Sequence, residues 1–108
     1  MIAGESFVGK TSIVNKYTDD IFDENYIPTK GSIFKEKDIV IKGYKKFKLH
    51  IWDSSGQMDF RNNAKMFYKD ASAIIFIYDI TKENTFEEFS NFWIKDIKEN
   101  TSDKINKY

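Results

Sequence analysis

Residues 4–11 read Gly-Glu-Ser-Phe-Val-Gly-Lys-Thr, the full spacing G-x-x-x-x-G-K-[ST] of a phosphate-binding loop. No other feature constrains the fold as strongly, because such a loop works only as the link between a strand and the start of a helix. Its glycines let the backbone curl until successive N–H groups point inward at phosphate oxygens. Lys10 adds a positive charge for the outer phosphates, and Thr11 offers a hydroxyl to Mg²⁺. The helix that follows contributes the positive end of its dipole. Ile13, Val14, Tyr17 and Ile21 recur at helical spacing and predict that helix and its buried face. Before the loop, Met1-Ile2-Ala3 suffices only for the end of a strand.

Residues 23–32 hold the only proline and a glycine and read as loop. Ile33 to Ile41 predicts a strand, and Lys42-Gly43-Tyr44-Lys45 punctuates it. Phe47, Leu49 and Ile51 then alternate with Lys48, His50 and Trp52, so a half-buried strand closes a hairpin. Asp53 to Gly56 breaks that alternation. Ala73 to Tyr78 is a short apolar run, the pattern of a strand covered on both faces. Thr85 and Glu88 have capping-box spacing for a last helix, with Phe86, Phe89, Trp93 and Ile97 on one side. The polar stretch from Lys98 to Lys107 reads as a solvated helix end and loop. Helices between strands predict an α/β layer fold with a mainly parallel sheet, whose ligands sit at the carboxyl ends of the strands.

A second signal, Trp52-Asp53-Ser54-Ser55-Gly56-Gln57, puts an acidic residue at a strand end, where Mg²⁺ needs one directly or through water. Gly56 permits close backbone approach to a terminal phosphate. The Gln57 amide has both donor and acceptor for orienting an attacking water. A third signal is Thr29, whose hydroxyl completes a metal shell only if a third phosphate draws its loop inward. His50 reads as a spectator on the solvent side of its strand.

Composition excludes several other classes. The 108 residues suggest one domain, and the 17 basic and 17 acidic side chains balance, so bulk charge steers the chain to neither nucleic acid nor an anionic bilayer. A 41% hydrophobic content with ten Phe and six Tyr argues against disorder. Without cysteine there is no disulfide or thiolate metal site, which fits a reducing compartment. No stretch has the length and apolarity of a membrane span or a signal-peptide core.

The segments GESFVGKTS, YIPT, KLHIWDSSGQ and IYDIT together resemble a small GTPase of the Ras superfamily, specifically its Rab branch, in spacing as well as letters. The resemblance implies an incomplete P-loop NTPase (G-domain) fold over 1–108, with one antiparallel hairpin strand in the sheet and helices on both faces. It implies GTP or GDP and Mg²⁺ as ligands. Gly4, Glu5, Ser6, Phe7, Val8, Gly9, Lys10, Thr11 and Ser12 would cradle the phosphates. Thr11, Thr29 and Asp53 would serve the metal, Asp53 through a bound water. Phe22 would lie against the guanine, Tyr26 would shield the phosphates, and Gln57 would be the hydrolytic residue. Residues 23–32 and Gly56 to about Phe67 match the two switch segments. Through them, and through the aromatic trio Phe34, Trp52 and Phe67, effectors, an activating protein and an exchange factor would read the nucleotide state. The implied setting is the cytosolic face of endomembranes in vesicle traffic, reached only through a lipid anchor, which the final Ile-Asn-Lys-Tyr does not supply.

The chain departs from the family pattern in places. The guanine-reading Asn-Lys-x-Asp and Ser-Ala-Lys motifs do not occur, and by spacing Asn106-Lys107 is not the first of them. The reading is therefore a domain with a clipped first strand and without roughly its last third, which would leave the Ala73–Tyr78 strand uncovered. Phe7 stands where the family has a small residue. Lys30, Ser54-Ser55 and Met58-Asp59 are milder changes. Three alternatives stay open: a non-catalytic remnant, a partner-binding module that does not switch, and another phosphate-loop enzyme acting on ATP.

Overall fold

In the computed structural model every residue is described except 26, 44, 102–105 and 108, and residues 58–62, 106 and 107 are described by backbone alone. The strands are β1 (Ile2–Ala3), β2 (Ser32–Val40), β3 (Lys46–Ser54), β4 (Ala73–Phe76) and β5 (Asn106–Lys107). They form one sheet in the order β2-β3-β1-β4-β5. Only β2 and β3 pair antiparallel, from Ser32 opposite Ser54 to Val40 opposite Lys46; the other pairs are parallel. The helices are α1 (Lys10–Asp19), α2 (Met58–Tyr68), α3 (Glu83–Glu88) and α4 (Ile94–Asn100), the last two joined by a π-helical turn, Phe89–Trp93.

The two residues of β1 face opposite ways and seed a core on each side. Ala3 belongs to the larger cluster, with Ala64 and Tyr68 of α2, Ile74 of β4, and Trp93 and Ile97 of the last helix. Ile2 belongs to the smaller, with Val14 of α1 and Ile51 of β3. Asp96 ties the larger side together: it accepts a hydrogen bond from the Tyr68 hydroxyl, lies 3.3 Å from the Lys65 ammonium and 3.2 Å from the Asn100 amide. A buried carboxylate with three such partners meets the usual condition for its burial.

The smaller side is thinly covered, and this changes several expectations. Of the predicted α1 face only Val14 is buried; Ile13 and Tyr17 are about half exposed. Ile21 lies beyond the helix, because Asp20 takes a left-handed φ of 58° and its N–H closes the last turn on Lys16 O. The strand expected over Ala73–Tyr78 ends at Phe76 and is covered on one face only: Ile74 is fully buried, whereas Ile75 is 45% exposed. The reason is the sheet's uneven covering. A groove of about 910 Å³ runs beside β3 and β4, with Ile13, Tyr17, Leu49, Ile51 and Ile75 in its wall. Beside it, β1 is two residues long and pairs with β3 at Asp53. β4 does have a neighbour along part of its outer edge, since β5 pairs with Ala73 and Ile74. The stretch read as a solvated tail therefore contains a strand.

The last helix begins at Glu83, two residues before the predicted cap. Thr85 does not cap it with Glu88. Its hydroxyl donates back toward Lys82 O at 2.7 Å and accepts from the Asp79 N–H at 3.0 Å, so it fixes the loop that leaves β4. The π turn widens the helix and carries Trp93 and Ile97 fully into the core, while Phe86 stays 48% exposed against Tyr78. Among the described residues no helix is long and apolar enough to cross a membrane.

Candidate nucleotide site

Three chain segments meet at the carboxyl ends of β1 and β3. The first is the glycine-rich turn between β1 and α1. Gly4 has φ 142°, and a Cβ there would sit 2.1 Å from Ile77 O on the strand end alongside, so only glycine lets the turn leave the sheet. Gly9, at φ 92°, is the cap residue immediately before α1. The Ile13 N–H makes the first helical bond to Gly9 O, which leaves the amides of Lys10, Thr11 and Ser12 without intrahelical partners, an anion-binding arrangement.

Lys10 is 5% exposed, and its ammonium donates to Glu5 O at 2.6 Å. Burial holds its pKa below the ordinary lysine value, against the pull of Asp53 and Glu5. Thr11 joins the second and third segments. Its hydroxyl lies 2.6 Å from the Thr29 hydroxyl and is hydrogen-bonded to the Asp53 carboxylate. Asp53 is 1% exposed, and its Oδ1 is buried without a hydrogen-bond partner. Burial raises its pKa, opposed by the Thr11 hydrogen bond and the charges of Lys10 and Lys35. One carboxylate oxygen and two hydroxyls are hard donors that suit a cation such as Mg²⁺ and not a soft metal. Gly56 packs directly on the loop: a Cβ there would lie 2.2 Å from Glu5 C and from Ser6 N.

Of the residues assigned from sequence, Ser6, Phe7, Gly9, Lys10, Thr11, Ser12, Thr29 and Gly56 line one cleft, with Asp53 joined to it through Thr11. The cleft measures about 20 Å³, room for roughly one water. Glu5 contributes its carbonyl to Lys10. Val8 and Gln57 are half-buried and do not line the cleft. The Gln57 N–H donates to Ser55 Oγ at the start of α2. Phe22 is 65% exposed and stands outside the cleft; it is no core residue. Tyr26 lies outside the described residues.

Away from the cleft, Phe34, Trp52 and Phe67 pack in a row, with ring centres 4.7 and 5.0 Å apart and planes tilted by 45° and 38°. The hairpin register sets Phe34 opposite Trp52 and Glu36 opposite His50. His50, read above as a spectator, meets Phe34 edge-on at 5.4 Å and lies 3.2 Å from Glu36. Its position two residues before Trp52 was the signal, since alternate strand residues share a face.

A sequence profile of the Ras family matches residues 1–108. The chain belongs to the Ras family. Named relatives place it on the Rab branch. It is 42% identical over 102 residues to Ras-related protein Rab-13 of Canis lupus familiaris, covering 94% of this chain and 49% of that protein. It is 40% identical over 107 residues to GTP-binding protein yptV2 of Volvox carteri, covering 99% and 48%. It is 37% identical over 107 residues to Ras-related protein RABE1d of Arabidopsis thaliana, covering 99% and 49%. This Rab-branch segment thus spans about half the length of the curated relatives it matches. Its sheet, parallel apart from the β2–β3 pair, is that of a Ras-family G domain.

Proposed function

We propose that this chain is the phosphate- and magnesium-binding part of a GTP-hydrolysing switch in membrane traffic. The observation that carries this reading is the meeting of Lys10, Thr11, Thr29 and Asp53 at the start of α1. The loop amides and Lys10 would hold the outer phosphates, once Lys10 turns from Glu5 O to the ligand. Mg²⁺ fits the donor set, because Asp53 Oδ1 is buried without a partner beside two hydroxyls. Thr11, Thr29 and Asp53 would hold it, and it would neutralise charge on the phosphates. Thr29 is the only one of these donors on the loop between α1 and β2, so its bond ties that loop to the nucleotide state. Gly56 would give its N–H to the terminal phosphate, and Gln57 would orient water. Loss of that phosphate releases both loops.

The trio Phe34–Trp52–Phe67, with Phe34 and Trp52 exposed and Phe67 half-buried, would present the state to effectors, an activating protein and an exchange factor. Phe22 would pack on the guanine. The proposed setting is the cytosolic face of endomembranes, with attachment through a lipid anchor outside these residues. Residues 1–108 are proposed as a partial G domain.

Titration of the purified chain with fluorescent GTP and ATP, with Mg²⁺ and with EDTA, tests the reading. Saturable GTP binding that weakens in EDTA supports it. A preference for ATP, or no saturable binding of either, overturns it. Thr29→Ala should weaken Mg·GTP about tenfold more than Mg·GDP, the loss of one donor to the charged shell; equal weakening would remove Thr29 from the switch. Gln57→Leu should slow single-turnover GTP hydrolysis about tenfold or more with affinity unchanged. Parallel loss of both would mean that Gln57 binds and does not position water.

A further inference from the structure

We propose that Phe7 sets how tightly the loop grips phosphate, and that it acts through its backbone and not through its ring. The proposal deepens the nucleotide-binding reading and rests on it. A concave row of amides forms when the backbone alternates between right- and left-handed residues. Three residues of this loop have positive φ: Gly4 at 142°, Phe7 at 67° and Gly9 at 92°. Glycine takes such angles freely, whereas a bulky side chain resists them through its Cβ. Among the described residues the one other non-glycine with positive φ is Asp20, a short polar residue at a helix end, where this conformation is common. Phe7 has no such excuse.

Strained backbone persists where its surroundings over-determine it, and it collects at ligand sites. Phe7 is 58% exposed. It lines the phosphate cleft beside Ser6 and Gly56. The left-handed turn that the cradle needs is thus the turn that the Phe7 Cβ opposes. Phosphate gripped by these amides favours that turn, so the bound state is weaker and shorter-lived with phenylalanine than with glycine at this position.

A substitution series in the whole chain separates backbone from ring. The left-handed penalty corresponds to about 5- to 30-fold in an equilibrium constant. The greater freedom of glycine in the unbound loop cancels part of it. Phe7→Gly should therefore tighten fluorescent GDP by roughly three- to tenfold and slow its release to match. Phe7→Ala keeps the Cβ and should stay within about twofold of the parent. Phe7→Asn, which tolerates the left-handed region, should fall between them and serves if the glycine variant does not fold. The same order should appear when inorganic tripolyphosphate competes for the site. Equal tightening by alanine and glycine would assign the effect to the ring and overturn the proposal, as would a glycine variant no tighter than the parent. Binding by the glycine variant but not by the parent would support it in its strongest form. Absence of binding in every variant would remove the nucleotide reading itself, and this proposal with it.

Discussion

Lys10→Met should lower affinity for GTP and GDP about a hundredfold or more, the usual scale for removing one partner of a desolvated charge pair. Methionine keeps the stem that fills the loop and removes only the charge. The fold should survive, because the Lys10 ammonium is a burden on the ligand-free protein: burial lowers its pKa despite Asp53 and Glu5. The sign of the pH effect follows from that direction. A folded pKa below the unfolded 10.5 means the folded chain gives up the proton more readily. The resulting stability contribution is full above the unfolded value and is lost as pH falls through the folded one. In thermal melts between pH 7 and pH 10, the parent should gain on the Met variant as pH rises. A pH-independent gap would show that Lys10 is not buried as charge. Unchanged affinity would remove it from the phosphate site.

Gly56→Ala should act on both stability and binding. The added methyl would lie 2.2 Å from two backbone atoms of residues 5 and 6, and no rotamer can relieve a backbone clash. The loop must shift, at a cost of about 2–3 kcal/mol in overpacking. For a chain this size that is about 10 °C or more in melting temperature. Nucleotide affinity should fall at least about tenfold, since the displaced segment is the one proposed to carry the phosphate-binding amides. Gly31→Ala is the control. Gly31 has φ 75° but nothing within 4 Å of its would-be Cβ, so it should lose only the left-handed penalty of about 1 kcal/mol. Equal losses at the two positions would refute the close-packing argument.

The apolar groove has a consequence for handling. Ile13, Tyr17, Leu49 and Ile75 are each at least about a third exposed along it, and exposed apolar surface of this extent is prone to association. The expectation of an uncovered Ala73–Tyr78 strand holds only in part: β5 pairs with Ala73 and Ile74, and Ile74 is fully buried, whereas Ile75 and Tyr78 are each 45% exposed.

Residues 4–11 carried the phosphate-loop signature because its geometry is local: three positive-φ positions and one helix start lie within seven residues, Gly4 to Lys10. The β3 alternation was legible for the same reason, since neighbouring side chains of a strand must point opposite ways. The register that sets Phe34 opposite Trp52 came only with the folded hairpin. The capping box at Thr85 misled because a four-residue spacing does not specify which way the hydroxyl turns, and the loop from Asp79 had the stronger claim on it. The twofold burial predicted for β4 failed because an apolar run states what a strand prefers, and the rest of the fold decides what is available to cover it.

The sequence by itself determined the phosphate-loop spacing, the order of α1, β2, β3 and β4, and the glycines without which the loop cannot form; α2 and β5 were not legible in it. Only the tertiary structure decided that Thr11, Thr29 and Asp53 share hydrogen bonds, that one oxygen of Asp53 is buried with no partner, and that α1 leaves much of its apolar face in solvent. The division has a physical cause. Turn and strand geometry is fixed by φ, ψ and side-chain size over a few residues. The meeting of positions 11, 29 and 53 depends on β1 pairing with β3 and on the hairpin closing, contacts between distant segments that no local pattern encodes.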